Sequence, residues 1–481
     1  MPPPATDFDL TEHGRRSAKL DHRFEIRKDR DHPERGRGLF AVQRVPEGTE
    51  VLRVRAVGAA VAKPFKKKLC GRCFRRAKKF DDLTPCRNCL LPLCDACHAG
   101  DAGDRPHSTR CEFGRKSLML NPLDEGTLRL SADILARKKA GEIDDEDWGL
   151  LNSLGIDNSE DGSTGLDARE LQKAVNMFKD AMDMDVSEED IQTMHRRNNH
   201  NVYMVSPGDT SVACGDVQAL FPFGALVNHS CRPNSCFHSV AESSPRGPEI
   251  ELVLRTTFDL RAGDELCVAY FPDYVETPVA RRREMLSDWG FHCTCARCQI
   301  EAEEEKHPEK HVKSRDQDAE KILHRIWKIV ELGVRNQLQF GQEQGRTLEE
   351  ALNLLSGTRE EDISPMLRGR LTMMALMVAR FAEGSVPSVG NLSAYQLACQ
   401  HISPFRDPRV VDLFLEVHVK GVMLLREVEV TSASALMLRT VAEDALTKAI
   451  EMCELLYGKH HDYSVHLQGL KKSRGRARLP S

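Results

Sequence analysis

The sequence predicts an α+β protein. Three observations predict it: strand-like apolar runs broken by turn residues near the start, apolar spacing of three and four residues in two later regions, and a cysteine-dense stretch between them. At 481 residues the chain is too long for one core and should divide into about three domains.

Taken in order, "HPERGRGLFAVQRVPEGTEVLRVRAV" (32–57) holds two strand-like runs, "GLFAV" and "TEVLRVRAV", with "PEG" as the turn between them. Gly36 and Gly38 would let a backbone pass close to a ligand, although a G-x-G taken alone is more often a plain hairpin than a cofactor loop. "EGTLRLSADILARKKAGE" (125–142) and "ARELQKAVNMFKDAMDM" (168–184) carry the helical period. Between them, "DNSEDGSTGLDARE" imitates the first half of a calcium loop, but its twelfth position is Ala168 instead of a bidentate Glu, so we read it as a solvated acidic loop. After Cys298, "IEAEEEKHPEKHVKSRDQDAEK" is charge-dense without apolar period and reads as a linker. From about 318 to 470 the chain turns helical, as in "AEKILHRIWKIVELGV" and "VDLFLEVHVKGVMLL".

Composition narrows the function. A net charge of -5 does not suit a bulk nucleic-acid binder. No apolar run reaches the ~18 residues of a membrane span, and the start lacks an apolar signal core, so neither a membrane nor a secreted location is expected. The 16 cysteines are therefore read in a reducing compartment, where clustering means metal more often than disulfides. Basic runs at 63–68, 74–79 and 471–478 could address the nucleus, or could be solvated faces.

The cysteines do cluster. Cys70-x2-Cys73, Cys86-x2-Cys89, Cys94-x2-Cys97 and His107-x3-Cys111 make eight ligands in four pairs, enough for two tetrahedral zincs. The stretch has almost no apolar residues of its own, so ion binding, at about 10–16 kcal/mol per structural site, would have to fold it. A second group, "LVNHSCRPNSC" (226–236), puts Asn228, His229 and Cys231 together. From the residues alone it could be a metal site, a Cys-His dyad or a cofactor clamp.

The eight-ligand series resembles a MYND zinc finger. That resemblance pairs Cys70, Cys73, Cys94 and Cys97 on one zinc, and Cys86, Cys89, His107 and Cys111 on the other. The third pair is one residue shorter than usual, and His98 would restore the usual spacing in place of Cys97. The wider order, G-x-G, then N-H-S-C-x-P-N, then "GDEL" with a Tyr five residues after the Glu, then C-x-C-x2-C, resembles the SET domain of protein lysine methyltransferases. A finger placed inside it resembles the SET and MYND domain family in particular, specifically from about 30 to 300.

The resemblance implies small SET sheets with a pseudo-knot, interrupted by the finger and a helical insert and followed by a tetratricopeptide-like helical domain. Its segments would be 1–68 and 201–273 for the SET domain, 69–111 for the finger, 112–200 for the insert, 274–300 for a zinc segment and 301–481 for the helices. It implies S-adenosyl-L-methionine and three structural zincs as cofactors. Gly36, Arg37, Gly38, Asn201, Asn228, His229, Tyr270 and Phe291 would border S-adenosylmethionine. Cys231, Cys293, Cys295 and Cys298 would hold the third zinc, which removes Cys231 from nucleophilic duty. Tyr270 would be catalytic, orienting the substrate amine. Trp289 stands where many relatives carry a second channel tyrosine.

The implied chemistry is in-line methyl transfer to a lysine of a histone or another protein. A free Lys titrates near 10.4, so presenting it unprotonated at neutral pH costs roughly 4 kcal/mol. An apolar channel and the nearby sulfonium charge lower that cost, and alignment contributes several kcal/mol more. A monomer in the nucleus or cytoplasm, with a protein partner at the finger, completes the expectation. The alternative is a zinc-bound scaffold that recruits partners without turnover.

Overall fold

A computed structural model of the chain describes residues 18–29, 35–61, 68–71, 73–74, 76–77, 82–87, 91–99, 126–155, 168–182, 186–206, 216–244, 247–287, 289–306, 313–335, 341–381, 389–428 and 432–476. It is an α+β protein of two compact units. The first comprises Met1–His229, Asn234–Val268 and Leu286–His292; the second comprises Ser230–Pro233, Ala269–Met285 and Cys293–Ser481. No helix among the described residues is long and apolar enough to cross a membrane.

The first unit is built on small sheets. Before the cysteine-rich stretch come β1 (Ala18–Leu20), β2 (Phe24–Lys28), β3 (Arg37–Ala41), β4 (Glu50–Arg55) and β5 (Gly58–Val61). Within it lie β6 (Leu83–Pro85), β7 (Pro92–Cys94) and the short helix α1 (Asp95–Ala99). After the helical insert come β8 (Val202–Val205), β9 (Val217–Leu220), β10 (Asn228–His229), β11 (Ser235–Ser244), β12 (Gly247–Thr256) and β13 (Glu265–Val268). They form sheets ordered β1-β4-β12-β11, β10-β13-β3-β2 and β5-β9-β8, with β6-β7 as a separate ribbon.

The two runs flanking "PEG" do form strands, but they join different sheets and not a hairpin: β3 pairs with β2 and β13, and β4 with β1 and β12. Burial explains the split. Leu39, Phe40 and Ala41 are buried on one sheet, and Val51, Leu52 and Val54 on the other, so each run has its own partner face. The turn is held from outside, by Val45 bridging to Leu260 and by Thr256 donating its Oγ1 to Pro46 O at 2.8 Å.

The insert is helical, as its period predicts, in α2 (Gly126–Lys139), α3 (Asp145–Asn152), α4 (Ala168–Met182) and α5 (Glu188–Asn201). Leu128, Ala132, Leu135, Ala174, Phe178 and Ile191 form its core. Asp144 caps α3 by accepting from Asp147 N, and Ser187 opens α5 with a capping box to Asp190. Asp133 Oδ2 accepts from Ala59 N at 2.9 Å, and Arg137 donates to Ala56 O at 3.0 Å, fastening α2 beside β5. The candidate calcium loop lies outside the described residues.

The second unit is helical: all but the last two residues of α6 (Val279–Ser287), then α7 (Ala296–Lys306), α8 (Asp316–Val334), α9 (Gln342–Gly357), α10 (Pro365–Phe381), α11 (Val389–Ile402), α12 (Arg409–Leu424), α13 (Ala433–Tyr457) and α14 (Asp462–Arg476). From α8 onward each helix packs against the next in chain order. Ile326, Ala351, Leu371 and Ala379 centre one core, and Tyr395, Ala398, Ile402 and Leu413 the next. One expectation fails: the first third of the charge-dense linker, through Lys306, belongs to the helix α7. An Arg297–Glu301 pair at i,i+4 supports it, and buried Cys298 anchors its first turn.

Candidate functional site

β10 and β13 run parallel, with Asn228 opposite Cys267 and His229 opposite Val268, the one parallel pairing among the described strands. The chain after β10 returns along β13. There Asn234 donates its Nδ2 to Glu265 O at 2.7 Å and accepts from Cys267 N at 2.8 Å, and Ser235 Oγ donates to Cys267 O at 2.8 Å. A short segment is thus tied along its length, which holds Asn228 and His229 at a fixed place beside β13.

Asn228 is half-buried, and its Nδ2 donates to Arg37 O at 3.2 Å and to Glu265 Oε1 at 2.7 Å. Both partners are acceptors, so the amide has one orientation: nitrogen inward, and Oδ1 left as an acceptor for something else. Glu265 Oε2 is held in turn by Arg35 at 2.8 Å, and Arg35 also donates to His229 O at 3.3 Å. Burial would pull Arg35 down, but the Glu265 charge beside it keeps it above the ordinary arginine value. The buried Cys267 thiol is pushed up by its burial, so it is no nucleophile here.

The two glycines differ. Gly36 has φ +72° and open space where a Cβ would stand. A Cβ on Gly38 would fall 2.5 Å from Glu265 Oε1 and 3.0 Å from Asn228 Nδ2. The second glycine makes room for the carboxylate and amide, and the first leaves a face open to a ligand.

Of the other residues, Arg37 offers its carbonyl to Asn228, while its side chain turns to Ser153 O at 2.9 Å. His229 is buried, with the Phe291 ring 6.1 Å from its own, centroid to centroid. Asn201 ends helix α5 and does not sit on a strand; its side chain donates to Arg197 O at 2.8 Å and Gly155 O at 3.0 Å. Tyr203, two residues on, donates to Gly224 O at 2.7 Å and packs edge-on against Phe221 and Phe237. Tyr270 is half-buried just beyond β13, in the second unit, and Trp289 is half-buried after α6.

In the second unit the sulfurs of Cys231, Cys293, Cys295 and Cys298 all lie within 4.8 Å of one another. Hydrogen bonds from its neighbours push Cys231 up, whereas the bond from Cys231 pulls Cys295 down to about 5. Such a donor set, four soft ligands within reach of one ion and no disulfide among them, fits zinc. In the first unit Cys70, Cys73, Cys94 and Cys97 converge in the same way, around a small core of Cys70, Cys86 and Leu93. It is Cys97, not His98, that stands in this group. Cys86 is buried beside it, and Cys89, His107 and Cys111 lie outside the described residues.

Sequence reasoning missed the residues that hold these sites. Arg35 stands directly before the G-x-G and Glu265 inside "GDEL", so position gave a signal for both. Arg282 and Arg297, which bond to Cys298 Sγ and Cys231 O of the second cysteine group, gave no such signal.

A family model for the SET domain matches residues 36–271. The chain is 24% identical over 282 residues to histone-lysine N-methyltransferase ASHR2 of Arabidopsis thaliana, a match spanning 56% of this chain and 70% of that protein. It is 25% identical over 279 residues to SET domain-containing protein SmydA-8, isoform B, of Drosophila melanogaster (56% of each), and 25% identical over 310 residues to mouse histone-lysine N-methyltransferase SMYD3 (62% and 64%). The chain therefore spans little more than half the length of most of these relatives. The SET match encloses the cysteine-rich stretch and the relatives include SMYD proteins, so the chain is a SET-domain protein that resembles the SET and MYND domain family.

Proposed function

We propose that the protein is an S-adenosylmethionine-dependent protein-lysine N-methyltransferase. The observation that carries this reading is the single orientation of Asn228, whose nitrogen is spent on Arg37 O and Glu265, which leaves its Oδ1 as the acceptor for a ligand that offers N–H. The amino group of S-adenosylmethionine is such a donor. When bound, that cofactor supplies a methyl group on a sulfonium, ready for displacement. Gly36 leaves the backbone side open, and Phe291, packed near His229, offers a ring for the adenine. Tyr270 orients the lysine amine through its phenol. The names of the relatives support a lysine of a histone or of another protein as acceptor. Both four-cysteine groups, and Cys86, Cys89, His107 and Cys111 as a third, hold structural zinc in closed spheres that take no part in the reaction. Nuclear or cytoplasmic residence and a protein partner at the finger accord with this reading.

The test is calorimetric titration of the zinc-loaded protein with S-adenosylmethionine, repeated on Asn228→Ala and followed by transfer assays on lysine peptides. Saturable binding lost in the variant is expected. A folded protein that binds no cofactor would instead favour a scaffold acting through the finger.

A further inference from the structure

Arg282, on α6, is the largest side chain shut off from solvent among the described residues, at 0% exposure. It donates to Thr277 O at 2.6 Å and to Cys298 Sγ at 3.3 Å, and it pairs with Glu301 Oε2 at 2.8 Å. Arg297, on α7, takes the other oxygen of Glu301 at 2.6 Å and donates to Cys231 O at 3.2 Å, Tyr274 O at 2.7 Å and Val275 O at 2.7 Å. Two guanidiniums thus share one carboxylate. Arginine does not give up its proton, and a buried charge without a counter-charge costs several kcal/mol. One positive charge is left over at the back of the cysteine group, and a divalent ion held by four thiolates carries two negative charges. The excess and the need are complementary, and Cys298 is where they meet.

We propose that Arg282 is a positioning residue for the metal centre of Cys231, Cys293, Cys295 and Cys298: its guanidinium neutralises the thiolate charge from behind Cys298 and sets how firmly the ion is kept. The proposal rests on the metal reading of these four residues. A hydrogen bond to a ligand sulfur makes it a poorer target for protons and chelators, and partners behind a first ligand commonly change metal affinity ten- to hundredfold. Lysine could carry the charge but could not bridge Thr277, Cys298 and Glu301 with one planar fork.

The experiment is zinc transfer from the full chain to 4-(2-pyridylazo)resorcinol, with the phase belonging to this centre identified as the one missing from Cys295→Ala. Arg282→Met should speed that phase ten- to hundredfold and leave the finger phase unchanged, with Arg282→Lys in between. Glu301→Gln removes the competing counter-charge, leaves Arg282 on Thr277 O and Cys298 Sγ, and should release zinc no faster than the parent protein, whereas a purely structural role for the buried cluster would make it faster. If no phase disappears in Cys295→Ala, the metal reading fails and the proposal with it. A phase that is present but insensitive to Arg282→Met and Arg282→Lys overturns the proposal alone. Equal acceleration of both phases would likewise overturn it, in favour of packing. Should Arg282→Met not fold, the lysine and glutamine variants still decide.

Discussion

The carboxylate of Glu265 stands 2.7 Å from the amide nitrogen of Asn228, across two strands that pair in parallel for only two residues. Residues 37 positions apart thereby share one hydrogen-bonded site, and Arg35 closes it from the other side at 2.8 Å. Removing the carboxylate should free the amide to turn and leave a half-buried guanidinium without its main counter-charge. Glu265→Ala is expected to weaken S-adenosylmethionine binding at least tenfold and to cost about 1–3 kcal/mol of stability. Calorimetry and urea denaturation measure the two, and undiminished affinity would show that Asn228 is oriented by Arg37 O alone.

Gly36→Ala and Gly38→Ala separate backbone strain from collision. At Gly36 only the left-handed φ is at stake, about 1–2 kcal/mol for an L-residue, since no atom lies within 4 Å of the added carbon. At Gly38 the methyl group would displace Glu265 and Asn228 together. We expect Gly38→Ala to abolish cofactor binding and Gly36→Ala to retain measurable binding with a lowered melting temperature. The reverse order would place the ligand against Gly36 and not at Asn228.

How much of this was legible in the sequence depended on the range of the interaction. Ligand spacing within a few residues is local, so the close pairs of the finger, such as Cys70 and Cys73, could be read directly, whereas the set of Cys231, Cys293, Cys295 and Cys298 followed only from the resemblance. The helices of the insert and the C-terminal region were visible for the same reason, in their apolar period. The Arg35–Glu265 and Arg282–Glu301 pairs span 230 and 19 residues and leave no periodic trace, because a charged residue looks the same whether it faces water or a buried partner. The helix-to-strand boundary directly after Asn201, between α5 and β8, was not legible either, because boundaries depend on tertiary anchoring such as its bonds to Gly155 and Arg197. Helix α7 was hidden by its charge density, which is what the Arg297–Glu301 pair turns to use.

The irregular third cysteine pair gives a direct test of ligand identity. Cys97 Sγ lies with those of Cys70, Cys73 and Cys94, within 4.8 Å, and His98 is not of the group. Metal analysis should find three zincs in the parent protein and two in Cys97→Ala, while His98→Ala retains all three. Loss of an ion from the His98 variant would reverse the assignment.

Tyr270→Phe tests the reaction apart from the cofactor. The variant keeps the ring and loses only the hydroxyl, so affinity for S-adenosylmethionine should stay within a factor of two or so, while methyl transfer to a lysine peptide slows about a hundredfold or more, the usual scale for a positioned polar group at a reacting centre. Equal turnover would move the role to another residue.

Stability in acid should depend on His195. It lies in α5, 3% exposed, with Asn199 Nδ2 3.0 Å from its Nε2 and no partner at Nδ1, and burial first, then the charge of Arg196, pulls it down to about 4 from an ordinary value of 6.5. The folded protein thus keeps this ring neutral through a range where the unfolded chain takes up a proton. Its contribution is complete above pH 6.5 and is lost as pH falls toward 4, because the unfolded state binds more protons there. Between pH 7 and pH 4.5 the loss should be about 2–3 kcal/mol. Trp148 packs against the same helical core, so its fluorescence in a Trp289→Phe, Trp327→Phe background reports unfolding of this region. The urea midpoint should fall less steeply with acid in His195→Phe than in its parent; parallel slopes would mean that the ring is protonated in the folded state as readily as in the unfolded one.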